Sequence, residues 1–207
     1  MEEPDSGEDA TGARLRELAR AVEDLEQSPL YGYRKEQGYQ VVFGEGNPRA
    51  ALLFIGEAPG EREARTGRPF VGASGRFLDE LLEGIGLRRE LVYITNVVKD
   101  RPPENRDPKP DEIRLYAPFL VKQLELIQPR VIATLGRFAM DFVFELLDMP
   151  EKGGKISKLH GQPLKAGASY GEVIVVPLFH PAVALYNQGQ REVLVQDFQA
   201  LKALVEK

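Results

Sequence analysis

The sequence predicts an α/β fold in which a parallel sheet lies between layers of helices. Four short runs at residues 50–55, 92–95, 131–135 and 173–178 are rich in Val, Ile and Leu and lack polar alternation. Such runs suit strands buried on both faces. Segments of helical period separate them, as a doubly covered sheet requires. No tract approaches the roughly 18 apolar residues of a membrane span. No signal peptide is visible either, so a cytoplasmic protein without a membrane partner is expected.

The 207 residues suit one domain with an extension, and carry a net charge of −5. Five acids, Glu2, Glu3, Asp5, Glu8 and Asp9, fall in the first nine residues without a base among them. Without those five, acids and bases are equal in number. Residues 1–13 therefore read as a disordered acidic tail, and 14–207 as a single neutral domain. An acidic total is thus no argument against a nucleic-acid partner. Between Lys99 and Arg137, eight bases face six acids, a slight excess.

Within the domain, Leu15, Leu18, Val22 and Leu25 place a helix over 14–27, broken at Ser28-Pro29. After the first strand, Ser74 is placed to cap a helix carrying Phe77, Leu78, Leu81, Leu82 and Ile85, stopped by Gly86. A helix over 111–128 follows the second strand, and one over 138–147 the third. Residues 153–171 form a loop or hairpin before the fourth strand, and a helix over 192–207 closes the chain.

The polar residues just after the strands carry the chemistry. The first run ends in Gly56-Glu57-Ala58, the second in Asn96 and the fourth in Phe179-His180-Pro181. Ligands of open parallel sheets bind beyond the strands' carboxyl ends, so Glu57, Asn96 and His180 converge on one crevice. The loop after the first strand adds Glu63, Arg68 and Phe70. A carboxylate steadies a developing cation or orients a water, and an amide reads the edge of a heterocycle. An aromatic ring stacks on a base, and an imidazole donates to an oxygen that gains charge. The set suits N-glycosidic cleavage of a flipped base, with an oxocarbenium-like sugar and an anionic leaving group. Each residue also has a plainer reading: a turn carboxylate, an Asx turn, a structural His-Pro, a loop Phe in a minor core.

The motifs decide between these readings. GEAPGEREARTGRPFVGASG (56–75), TNVVKDRPPENRDPKPDE (95–112) and FHPA (179–182), with VFGEGNP (42–48) ahead of them, resemble the family-4 uracil-DNA glycosylases. The resemblance runs in order from about residue 28 to the C-terminus. It implies a three-layer α/β/α sandwich around a central four-stranded, mainly parallel sheet. It implies a monofunctional glycosylase that removes uracil from DNA as a monomer. Carried over by position, Glu57 is the catalytic carboxylate and His180 the hydrogen-bond donor to uracil O2, acting as a neutral imidazole. Asn96 reads the Watson–Crick edge, Phe70 stacks, and Glu63 crowds uracil C5 against thymine's methyl. Gly56 and Ala58 line the pocket with backbone amides. Arg68, Arg101, Arg106, Pro181 and Ala182 contact DNA, and Leu185 wedges into the gap left by the flipped base.

In one respect the chain departs from that family, whose members hold a [4Fe–4S] cluster on four cysteines. Here there are none. The corresponding positions fall near Pro29 and Gly32, at Asp100 and at Tyr116. A cluster is therefore excluded, and neither a metal nor an organic cofactor is expected. A packing substitute is expected instead: an aromatic cluster of Tyr31, Tyr33, Tyr39 and Tyr116, with Asp100 paired to a nearby Arg or Lys. Pro102, Pro103, Pro108 and Pro110 stiffen the intervening loop. Two other functions fit the same residues: a damage-binding protein whose catalysis is weak or lost, and a glycosylase for another deaminated base.

Overall fold

The computed structural model describes residues 6–205. A six-stranded sheet in the order β1-β3-β2-β4-β6-β5 forms its centre. The strands are β1 (Glu45–Gly46), β2 (Leu52–Gly56), β3 (Tyr93–Asn96), β4 (Val131–Leu135), β5 (Leu164–Ala168) and β6 (Gly171–Leu178). The four expected strands are the inner, mutually parallel β3, β2, β4 and β6. Two antiparallel edge strands, β1 and β5, extend the expected four-stranded sheet. Neither announces itself in sequence. The first is a Glu-Gly pair, and the second, Leu-Lys-Ala-Gly-Ala, buries neither face fully.

Alternate residues of the inner strands feed two separate cores. Leu53, Ile55 and Ile132 pack with Leu15 and Val22 of α1 (Ser6–Glu23) and with Leu120 and Leu124 of α5 (Pro110–Ile127). Met140 and Phe144 of α6 (Arg137–Leu146) complete that side. Leu52, Phe54 and Ala133 face the opposite layer. There they meet Phe77 and Leu81 of α4 (Ala73–Gly84) and Leu194 and Phe198 of α8 (Gln188–Val205). The three-layer sandwich follows directly, because strands apolar on both faces need a helical cover on each. Shorter helices α2 (Tyr31–Gln37), α3 (Glu61–Thr66) and α7 (Ile156–Leu159) occupy the connections.

Two local expectations need correction. The helix α1 starts at Ser6, inside the segment expected to be unstructured, and ends at Glu23 rather than at residue 27. The remainder of the acidic segment, residues 1–5, lies outside the described residues. Ser74 does not cap α4, which begins at Ala73 behind Gly72 without a side-chain cap. The backbone N–H groups of Val71 and Gly72 instead donate to Glu63 Oε1 at 2.9 and 2.8 Å.

From β2 the chain moves to β3 on one side and then to β4 on the other. The carboxyl end of β2 is therefore a topological switch point, where crossovers diverge and leave a crevice.

Candidate active site

Gly56 ends β2 directly beside Asn96 at the end of β3. Beyond them, Val97 N–H donates to Gly56 O and Val98 N–H to Glu57 O, which carries the pairing past the strands. A cavity of about 550 Å³ opens here, lined by Glu57, Ala58, Glu63, Phe70, Asn96, His180 and Ala182 among others. Residues far apart in sequence thus share one site. Gly56 lies against its wall: a Cβ there would overlap Asn96 Oδ1 and the Phe70 ring. Only glycine lets the Asn96 amide and the Phe70 ring approach the strand so closely.

Burial pushes the Glu57 carboxyl up to about 7, with Asp107 reinforcing the shift and Arg137 opposing it. Asn96 is buried, and its Oδ1 has no hydrogen-bond partner within the protein. A buried, unpaired amide oxygen at a cavity wall is an acceptor left for a ligand. His180 follows β6. Its Nδ1 accepts from Ala182 N–H at 3.1 Å, which puts the proton of the neutral ring on Nε2. Burial holds the imidazole down at about 4, with Glu63 opposing that shift. At neutral pH the ring is therefore uncharged, with Nε2–H as its donor.

Phe70 lies 5.7 Å from His180, centroid to centroid, on a backbone with a left-handed φ of 48°. A bulky residue holds such a conformation only under tertiary constraint. Here Glu63 grips the following two N–H groups. Arg89 donates to Phe70 O at 3.1 Å and also to Pro69 O. Arg89 is itself held by Glu45 and Asp79, each at 2.9 Å. None of the clamp residues Arg89, Glu45 and Asp79 is foreseen from sequence, since isolated charges carry no periodic signal. Arg62, Ser74, Pro102 and Asn105 also line the cavity unforeseen.

Not every expected residue reaches the cavity. Arg106 does, while paired to the fully buried Glu112 at 2.5 and 2.9 Å. Arg68 points elsewhere and pairs with Glu45 at 2.8 Å. Arg101 is occupied by Tyr39 Oη at 2.6 Å and Asn105 Oδ1 at 2.8 Å. The turn of 3₁₀ helix Pro181–Leu185 repeats every three residues. Pro181 and Ala184 are buried, and Leu185 packs against the core. Val183 and Tyr186 face outward, the tyrosine 94% exposed. Leu185 is consequently not the residue this turn presents to solvent.

Comparison with known proteins agrees with this geometry. The family model described as the uracil DNA glycosylase superfamily matches residues 43–202. The chain belongs to that superfamily. A type-4 uracil-DNA glycosylase of Archaeoglobus fulgidus is 47% identical over 166 residues, 80% of this chain and 82% of the relative. Type-4 enzymes of Saccharolobus solfataricus and Thermotoga maritima are 44% and 43% identical, over 89% and 81% of this chain and 83% and 84% of theirs.

This glycosylase-family chain offers no cluster ligands at the four positions singled out in its sequence. Pro29 and Gly32 carry no donor atom, and the other two positions are bonded to one another. Tyr116 Oη donates to Asp100 Oδ2 at 2.7 Å and lies 2.7 Å from Ser28 Oγ. Arg34 Nε stands 3.4 Å from Asp100 Oδ1. Asp100 and Tyr116 are both fully enclosed. The residues present do not fit an iron–sulfur cluster. The expected substitute exists, but as a polar node rather than one aromatic cluster. Tyr33 and Tyr39 pack edge to face at 6.0 Å, while Tyr31 lies under Arg34 and Lys35. Among the described residues, no group of three or more acidic or imidazole side chains is arranged to hold a metal ion.

Proposed function

We propose that this protein excises uracil from DNA by hydrolysing the N-glycosidic bond and leaves an abasic site. One observation carries the reading: the carboxylate, amide, aromatic ring and neutral imidazole of Glu57, Asn96, Phe70 and His180 meet in a single cavity. The flipped base stacks on Phe70, and Asn96 reads its edge. Glu63 stands where it crowds C5. As C1′–N1 breaks, the bonding pair passes to the uracil ring, and His180 Nε2–H donates to the O2 that gains charge. Water adds to C1′ and gives its proton to Glu57, whose carboxylate also faces the cationic sugar. This chemistry uses water and fixed charge, with no cofactor.

Arg106 and Arg62 supply positive charge at the mouth for phosphates. The outward residues Val183 and Tyr186 meet the DNA in place of Leu185, while Arg68 and Arg101 act through their protein partners. Among the described residues no lysine lines the cavity, so strand nicking by Schiff-base chemistry is not expected. The protein acts as a cytoplasmic monomer on uracil-containing DNA. No described helix is long and apolar enough to cross a membrane. The test is base excision on single- and double-stranded DNA carrying uracil or other deaminated bases. Abasic product from uracil is expected. Binding without product from any of them would reject the enzymatic reading.

A further inference from the structure

Asn105 lines the cavity with Pro102 and Arg106 of the same loop, yet the chemistry above gives it no part. Its conformation is costly. Glu104 and Asn105 both take left-handed φ values, 56° and 53°, which two successive non-glycine residues rarely do. Asn105 N–H on Pro102 O at 3.2 Å and Arg106 N–H on Pro103 O at 3.0 Å close the turn. Arg101 braces it by donating from Nε to Asn105 Oδ1 at 2.8 Å. Arg101 is itself nearly enclosed, with Tyr39 Oη at 2.6 Å and Glu61 at 3.8 Å. At the other end of the turn, Arg106 is fixed by Glu112 and by the carbonyl of Asp107.

This bracing settles which way the amide faces. A guanidinium only donates, so the atom beside Arg101 Nε is the amide oxygen. The NH2 group of Asn105 keeps two N–H bonds, and neither meets an acceptor among the described residues. The groups assigned to the base gather elsewhere: Phe70 and Asn96 meet at Gly56, and the Phe70 ring lies beside His180. Asn105 belongs to the Glu57 side, since the charge of Asp107, two residues on, is felt at that carboxyl. There the proposed reaction sets the sugar and its flanking phosphates. Amide N–H donors beside a guanidinium suit an anion with several acceptor oxygens.

We propose that Asn105 is a substrate-binding residue whose NH2 group, held in place by Arg101, donates to a non-bridging oxygen of a phosphate flanking the flipped nucleotide. The proposal rests on the glycosylase reading and deepens it.

The experiment pairs protein variants with uracil-containing DNA in which the phosphate on the 5′ or the 3′ side of the deoxyuridine is replaced by a neutral methylphosphonate. Asn105→Gly removes the side chain and suits the left-handed turn, so the loop keeps its shape. Asn105→Asp keeps an oxygen for Arg101 and sets a negative charge where the donor was. Excision kcat/KM and, by fluorescence anisotropy, Kd are measured on each DNA. On ordinary DNA, Asn105→Gly is expected to weaken binding by about 10- to 150-fold, the loss of a hydrogen bond to a charged group. Asn105→Asp is expected to be worse. On one of the two methylphosphonate substrates the loss is expected to shrink to a few-fold or less in both variants, because the oxygen's charge is no longer there to bind or repel. A residue that only shapes the loop would lose the same factor on every substrate. An equal loss on all three DNAs in both variants overturns the proposal. Absence of excision from any of them by the unmodified protein would instead overturn the glycosylase reading, and the binding arm would still decide the phosphate contact.

Discussion

Replacing Tyr116 by Phe deletes one hydroxyl from the buried node and nothing else. In the intact protein that hydroxyl donates to Asp100 Oδ2 at 2.7 Å and meets Ser28 Oγ at 2.7 Å. Its removal takes the donor from one oxygen of an enclosed carboxylate, whose other oxygen has only Arg34 at 3.4 Å. Hydrogen bonds to charged groups contribute about 1.5–3 kcal/mol. A loss of about 2–3 kcal/mol is therefore expected, or about 5–10 °C in Tm for a chain of this size. Ser28→Ala, a neutral partner, should cost about 1 kcal/mol.

The pH dependence sharpens this test. Burial already raises the Asp100 carboxyl, and donation from Tyr116 holds it down. A carboxyl whose folded value lies above the unfolded one binds more protons in the fold. Its favourable contribution is full at low pH and is lost as pH rises through the folded value. Tyr116→Phe raises that value further, so its deficit should be largest near neutrality and shrink as Asp100 becomes protonated. Denaturant unfolding of both proteins at pH 7 and at pH 4.5 measures this. Equal stabilities at pH 7, or a deficit of the same size at both pH values, would refute the argument.

Excision should weaken as pH falls through about 7, because Glu57 must be ionised and burial has raised it to that value. The loss should approach tenfold per unit below it; a flat kcat/KM profile between pH 5.5 and 8 contradicts this. His180 titrates only near 4, so it stays neutral throughout that range. Asp107→Asn removes a repelling charge and should move the limb to lower pH, as a pH–rate series would reveal. Asn96→Ala and His180→Ala should each reduce single-turnover excision by about 100-fold or more, the scale of losing a direct transition-state contact. Arg89→Met frees the Phe70 loop and should raise KM more than it lowers kcat, read from steady-state curves. Tyr186→Ala should weaken binding of uracil-containing DNA by about 5- to 150-fold, the equivalent of the ~1–3 kcal/mol of one base–aromatic stack, with fluorescence anisotropy as the readout.

The inner strands were legible because each is apolar on both faces, and only a doubly covered parallel sheet accommodates that pattern. Glu57, Asn96 and His180 were legible as a group because strand ends of such a sheet converge. The pattern fails where burial is not apolar. Lys99 reads in sequence as a solvent-facing base, yet it is fully buried and hydrogen-bonded to Thr95, Asn96 and Gln123. The helix α3 has one buried residue and is held by an Arg65–Glu61 pair and flanking glycines, so hydrophobic period misses it. Apolarity does not say which side of a turn a residue takes; the three-residue repeat turns Val183 and Tyr186 outward and leaves Leu185 partly buried. Asp100 and Tyr116 are informative only together, being 16 residues apart and joined by one hydrogen bond.

The left-handed backbone at Phe70 has a consequence for the end of the reaction. Glu63 and Arg89 grip the loop that carries the ring, and Gly56 leaves the space the ring occupies. The pocket is therefore preorganised, and the ordering entropy is spent during folding rather than on binding. A finished cavity does not distinguish an incoming base from one just released. If Phe70, Asn96 and His180 hold the base as proposed, free uracil meets the same ring, amide and imidazole after the bond breaks, and inhibition of excision by added uracil is the expected outcome.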